Sequence, residues 1–520
     1  MTNMKRLAAI SASLLTLASC GWLDVSPENT IDEKELFSTG YGFRNALNGI
    51  YLELGSPAVY GENLSWGFLS AVAQEYLADG SSIGQNTLAV CRDASGFVYN
   101  STNTQPVIEE IWQTQYSMIA NINKILEHIY DLDASAFTYG EDERDMIRGE
   151  ALALRAMLHF DLLRLFAPSP AASPSGTWLP YREEFSHDVG EKLTVRQFLE
   201  KVIRDITEAE PLLRSIDTEF HPEAMYASMM STPTVSMNAR YRFDSSTFID
   251  DTGQFFWFRG WRLNYLALLG LKARVCMYAG QEYHSIARAA AMELYTTYYQ
   301  DLQWVGFTPQ DDITCQIESR HTKMTDDVLF GAYYRNLATD FESMIYGADN
   351  SVKLPLANIE SLFASDNTGV YEDWRLDYAI AQTNTSEKAW YTLKYNSSSE
   401  AVVTSVENPM VPLVRLSEVM YILAELSAEE GNVGQGIEYL ETVRRARGAQ
   451  RSLLTTVSTA EQLMEEIILD ARKDFLCEGN MFYMYKRLNI REVPSASESG
   501  AVKDMTAGYV LPVPASESPF

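Results

Sequence analysis

The sequence predicts an all-α protein, a tetratricopeptide-like helical repeat scaffold with long irregular loops and little β structure. Three observations point there. Apolar residues recur at helical spacing through several long segments. A helix, glycine turn, helix pattern occurs twice, beginning at Leu268 and at Tyr421. No regular ladder of alternating strands suggests a barrel.

The first long helix is expected over residues 106–130, where Ile108, Ile111, Met118, Ile122, Leu126 and Ile129 form one apolar stripe. Pro106 suits its first turn, where a missing N–H costs nothing. Residues 143–166 are apolar nearly all round, as expected of a central helix covered on several sides. Thr194 followed by Gln197 reads as a capping box ahead of the stripe Phe198, Val202, Ile206 and Ala209. Ser458 and Glu461 repeat that signature ahead of Leu463, Ile467, Ala471 and Phe475, with Gly479 as the stop. In the two hairpins Gly280 corresponds to Gly431, Ala273 to Ala424 and Ile286 to Ile437. Small residues let paired helices approach closely, as in tetratricopeptide units that stack into a solenoid.

Between the helices lie polar and aromatic stretches at residues 55–104, 167–193, 216–258 and 299–412. Loops beyond about 15 residues are usually functional or disordered, and these are rich in Trp, Tyr, Asn and Asp, so function is expected on them.

At the start of the chain, Lys5 and Arg6 precede an apolar run over residues 7–17, the pattern of a secretory signal peptide. A membrane helix needs about 20 apolar residues, and this run stops at LASC, residues 17–20. That is a lipobox, so residues 1–19 are read as a leader and Cys20 as the lipidation site. Acyl chains such as palmitate contribute about 0.8 kcal/mol per buried CH₂, and a lipoprotein cysteine carries more than one. The mature chain is therefore expected to be tethered to a membrane.

A formal charge of -29 without a basic stripe excludes nucleic acid as a partner. With 46% hydrophobic residues the chain can bury a large core. Cys91, Cys276, Cys315 and Cys477 show neither metal-ligand spacing nor a disulfide framework and are expected to be free thiols.

Catalytic signatures are missing: there is no P-loop, HExxH or GxSxG, and GNVGQG at Gly431 reads as a turn between helices. His159, inside the apolar central helix, reads as a core histidine and not a metal ligand. A glycosidase needs two carboxyls across one cleft. The neighbouring pairs Asp311 with Asp312 and Asp326 with Asp327 read instead as solvated faces. Arg155 with Glu150 and Arg415 with Glu418 read as structural ion pairs, because an unpaired buried charge costs several kcal/mol. No catalytic residue, metal or cofactor is expected. Flat sugar faces stack on aromatic rings, which makes Trp66, Tyr99, Trp257, Trp304, Trp374 and Trp390 the candidate ligand-binding residues. Core packing is the competing fate for each of them.

The segment LDVSPENTIDEKELFSTGYGFRNALNGIYLEL after Cys20 resembles the opening of SusD/RagB-type nutrient-binding outer-membrane lipoproteins. ALRAMLHFDLLRLFAP resembles their central helix, and DWRLDYAI at Asp373 and LKY at Lys394 resemble their D-x-R and Lys-Tyr elements. PLVRLSEVMYILAE, VRRARG, EGNMFYMYKR and LPVPASE follow in the family's order. Ala471 with Arg472, and Phe482, Tyr483 and Met484, depart from the usual Glu-Arg and Phe-Trp-Asp.

The resemblance implies about four tetratricopeptide-like pairs, divided into an N-terminal region at residues 20–220 and a C-terminal SusD/RagB region at 221–520. It also implies a partner, a SusC-type TonB-dependent transporter, over which the lipoprotein closes as a lid on the outside of the cell. The expected function is capture of a nutrient oligomer, an oligosaccharide before a peptide, for import through that transporter in the outer membrane. The alternatives are a surface polysaccharide hydrolase and a periplasmic helical-repeat assembly lipoprotein.

Overall fold

The computed structural model describes residues 33–186, 188, 190–222, 225, 259–317, 320–345, 351–364, 373–384, 386–396, 409–449, 454–498 and 500–517. The leader, Cys20 and Trp257 lie outside the described residues.

The main helices are α1 (Gly40–Leu54), α2 (Gln105–His128), α3 (Gly140–Phe166), α4 (Val195–Arg214), α5 (Tyr265–Ala279), α6 (His284–Glu293), α7 (Leu416–Glu429), α8 (Val433–Ala446), α9 (Ala460–Asp474) and α10 (Asn480–Arg487). They pack pairwise, α1 on α2, α3 on α4, α5 on α6 and α7 on α8, while α2 meets α3, α4 meets α5, α6 meets α7 and α9 covers α7. Neighbour-to-neighbour packing in chain order is the arrangement of a helical-repeat solenoid. The hairpin turns hold Gly280 at φ 113° and Gly431 at φ 75°, backbone that a side chain resists.

Every residue of α3 from 149 to 166 is buried, which confirms the central position expected of it. Around it one large hydrophobic cluster draws members from Phe37 to Leu511, with two smaller clusters around Trp261 and Trp374. Among the described residues the strands form short pairs: β1 (Leu179–Pro180) with β2 (Lys192–Leu193), β3 (Val328–Tyr333) with β6 (Met410–Arg415), and β4 (Ile380–Gln382) with β5 (Trp390–Thr392). A last pair joins β7 (Glu492–Pro494) to β8 (Val502–Asp504). No described helix is long and apolar enough to cross a membrane.

The capping box at Thr194 and Gln197 forms as expected. The one before α9 uses Thr459 and Gln462 in place of Ser458 and Glu461. Both hydroxyls were plausible caps, and only the entry angle of the chain decides which meets the N3 amide. Gly479 does not stop α9, which ends at Asp474; it sits at φ 75° as the N-cap of α10.

The expected ion pairs exist as charges but not as partners. Arg155 pairs with Asp205 of α4 at 2.6 Å, and Glu150 with Arg262 at 2.9 Å and with Arg259. Arg274 takes Glu418, while Arg415 reaches Asp327 and Glu478, each at 2.6 Å. Each guanidinium reaches a carboxylate at least fifty residues away in sequence, so the pair also joins two segments of the fold.

Arg415 belongs to a larger buried network. Arg447 bridges Asp327 and Asp474, Arg375 holds Asp373 at 2.7 Å and Asp470 at 2.8 Å, and Lys394 donates to Glu478 at 2.7 Å. Tyr395 donates to the Cys477 carbonyl at 2.8 Å. Burial alone would raise the Asp474 carboxyl, but Arg447, Arg375 and Arg415 outweigh it and hold it far below the usual carboxylate range. The motifs DWR, LKY, PLVR, VRRARG and the start of EGNMF all converge here.

His159 is buried against Tyr181, ring centroids 3.8 Å apart. Its Nδ1 meets the Arg155 carbonyl and its Nε2 accepts from the Arg182 amide, both at 2.9 Å. Burial pushes its pKa down to about 3, so the ring is neutral. Cys91, Cys276, Cys315 and Cys477 are free thiols, as expected.

Candidate functional site

An open cleft of about 500 Å³ lies where the loop before α2, the strand β1 and the C-terminal segment meet the end of α3. Phe97, Tyr99, Asn100, Phe166, Trp178 and Pro512 are among its lining residues. Phe166, buried at the C-terminal end of α3 and edge-on to Trp112 at 4.8 Å, belongs to the core beneath it. The Leu511 amide donates to the Leu165 carbonyl at 2.9 Å and fixes the C-terminal wall.

The loop is held from within. Asp93 accepts from Ser101 Oγ at 2.6 Å and Asn103 Nδ2 at 2.8 Å, and Thr104 Oγ1 donates to the Val98 carbonyl at 2.6 Å. These bonds keep Phe97 at φ 60°, a conformation that bulky residues rarely adopt and that structures hold mainly where a side chain must be aimed. Tyr99 Oη donates to the Gly508 carbonyl at 2.6 Å. A Cβ at Gly508 would come within 2.6 Å of the Phe97 ring, so glycine is what lets that ring seat against the C-terminal segment. Lys503 Nζ lies 4.4 Å from the Phe97 centroid. Trp178 is half-buried with no hydrogen-bond partner on its indole N–H, and Asn100 is exposed. Two aromatic rings beside a free amide offer stacking and hydrogen bonding together.

Of the residues nominated from sequence, Tyr99 lies on this cleft. Trp66 is 1% exposed, edge-on to Phe341 at 4.9 Å, and Trp374 is buried beside Gly448. Rings so enclosed present no face to a ligand, and for these two core packing prevails. Trp304 is half-buried against Tyr298, 5.3 Å between centroids. Trp390 is half-buried in β5, its carbonyl accepting from the Leu356 amide at 2.8 Å. Trp257 lies outside the described residues. Sequence reasoning missed Phe97, Asn100 and Trp178, although two of the long stretches it marked, residues 55–104 and 167–193, contain them.

A second feature is chemical. Burial, then the nearby charges of Glu110 and Asp340, push the Glu62 carboxyl up to about 7. Among the described residues no group of three or more His, Cys, Asp or Glu side chains could hold a metal ion.

Fold and cleft define a helical-repeat scaffold that presents an aromatic surface cleft. A family described as starch-binding and associating with the outer membrane matches residues 21–231, and the SusD family matches residues 332–509. The chain belongs to the SusD family. No curated protein matches it. Among solved structures it is similar to a SusD superfamily protein from Bacteroides thetaiotaomicron, at 19% identity and TM-score 0.65, over 92% of this chain and 97% of that one. A putative sugar binding protein from Bacteroides vulgatus aligns at 19% identity and TM-score 0.66, over 92% and 95%. A SusD-like carbohydrate binding protein from the same species aligns at 18% and 0.59, over 92% and 96%.

Proposed function

We propose that the protein is a lipid-anchored lipoprotein of the outer cell surface that binds an oligosaccharide and delivers it, uncleaved, to a SusC-type TonB-dependent outer-membrane transporter. The cleft lined by Phe97, Tyr99, Asn100 and Trp178 carries the binding half of this reading, since aromatic rings next to an exposed amide suit pyranose faces and hydroxyls. Family membership supports the anchor and the transporter. Lid movement releases the cargo, and a few kcal/mol suffices to shift such an equilibrium.

The test is a glycan panel against the mature chain, followed by calorimetry on the best binder. Trp178→Ala and Phe97→Ala should each weaken binding at least tenfold, about 1.4 kcal/mol, while leaving the fold intact. Binding unchanged in both variants would remove the cleft from the proposal; a folded chain that ignores the whole panel would remove the carbohydrate.

A surface hydrolase is the second reading, and Glu62 favours it, because a carboxyl held near neutrality beside other carboxylates is suited to proton transfer. Product released by wild-type protein and abolished by Glu62→Gln would establish it. Intact ligand recovered after prolonged incubation would dismiss it.

A further inference from the structure

We propose that the groove between α1 and α2 is the docking face for an extended, weakly charged polypeptide segment on the extracellular side of the transporter, an inference that rests on the partner named above. The groove encloses about 640 Å³. One wall is the α1 stripe Asn45, Gly49 and Glu53, and the other is the α2 stripe Gln113, Ser117 and Asn121, each spaced four residues apart and solvent-exposed. At that spacing the members of each stripe share one helix face. Ala46, Gly49 and Ser117 are small, and a Cβ at Gly49 would touch nothing within 4 Å, so the trough stays wide. Ile50 and Met118 are buried lining residues that give it an apolar floor.

Two observations select a polypeptide occupant. Asn45, Thr114, Ser117 and Asn121 line the groove with uncharged donors and acceptors, while Lys124 at its edge is already neutralised by Glu33 at 2.9 Å. Such groups match the alternating N–H and C=O of an extended chain. On the same helix α1, Tyr41 is 70% and Leu52 63% exposed, more than any other large apolar side chain among the described residues. Exposed apolar anchors beside a polar trough are the anatomy of a protein interface. A glycan is the poorer fit, because the aromatic residue lining the groove, Phe37, is buried against Phe43 and His128.

The chain's covalent geometry places the partner. Residues 21–32 separate Cys20 from Glu33, which lines the groove. At roughly 3.5 Å per residue that tether spans at most about 45 Å. With Cys20 lipidated, this corner of the molecule stays within about that distance of the membrane, whereas parts of the scaffold farther from Glu33 can lie correspondingly farther out. An integral membrane partner therefore meets this groove at high effective concentration.

The experiment introduces the photo-crosslinker p-benzoylphenylalanine at Ser117 of the full-length lipoprotein in outer membranes, with Arg196 on α4 as an exposed control. Irradiation should yield an adduct to transporter peptides from position 117 and none from 196. Leu52→Asp should lower the transporter recovered with the affinity-purified lipoprotein at least tenfold and leave glycan affinity unchanged. Adducts from 117 only to residues 21–32 of the same chain or to a second copy would overturn the docking face. So would their absence while the wild-type chain still purifies with the transporter. A wild-type chain that never purifies with the transporter would overturn the partner reading and this face with it.

Discussion

Arg415 has almost no contact with solvent, and its five donor positions are spent on two carboxylates and two backbone carbonyls. Removing such a guanidinium leaves Asp327 and Glu478 buried with less compensation, a loss of about 3–5 kcal/mol. Arg415→Met should therefore lower the denaturant midpoint sharply, whereas Arg196→Met, at an exposed pair, should change it little. Glu75 is a different case. Burial pushes its carboxyl up to about 7 from an ordinary 4.5, against the lowering effect of Ser70, the Cys477 amide and Lys394. Because the folded pKa is raised, the folded state keeps this proton while the unfolded chain loses it between pH 4.5 and 7. Its contribution to stability falls through that window and is flat above it, a change on the order of 3 kcal/mol. Glu75→Gln keeps an oxygen for the Cys477 amide and lacks the titration. The variant should match wild type near pH 4.5 and exceed it by several degrees in Tm at pH 8; a constant difference across that range would refute the assignment.

At the scale of the element, capping and pairing explain most boundaries. Thr459 accepts from the Gln462 amide at 3.2 Å, so Thr459→Ala should cost about 1 kcal/mol. Ser458→Ala should cost less, since that hydroxyl meets only the Gln462 side chain at 3.3 Å. Chemical denaturation of the two variants side by side checks which residue is the cap. The helices themselves were legible, because an apolar stripe with a period near 3.6 leaves a one-dimensional trace. α2 spans residues 105–128 against an expected 106–130, and α3 begins at 140 against 143. The irregular segments were not legible in detail. The composition of residues 55–104 predicts a functional loop, but Phe68–Val72 and Ala89–Ser95 are helical and much of the remainder is buried. Trp66 and Phe97 lie in that one segment. One is enclosed in the core and the other lines the cleft, and no local pattern separates them.

For the whole molecule, the four described cysteines are free and three of them are buried, so no covalent bridge among them contributes to stability. Reductant should leave the Tm of the mature protein unchanged, and a drop would reveal a bridge. Cys20→Ala should release the chain from membranes without altering glycan affinity in solution, while uptake by cells falls; loss of affinity in the soluble variant would show that anchor and binding are not separable.

The sequence by itself determined the helical class, the pairing of hairpins around Gly280 and Gly431, and the identity of the charged residues that must find partners. Each of these is written in local spacing or in residue chemistry that burial cannot tolerate unpaired. It could not say that Arg155 would choose Asp205 over Glu150, or that Trp178 and Phe97 would share a cleft while Trp66 and Trp374 filled the core. Those choices depend on which surfaces meet when the helices stack. Partners fifty or more residues apart leave no periodic trace along the chain, and only the tertiary structure brings them within reach.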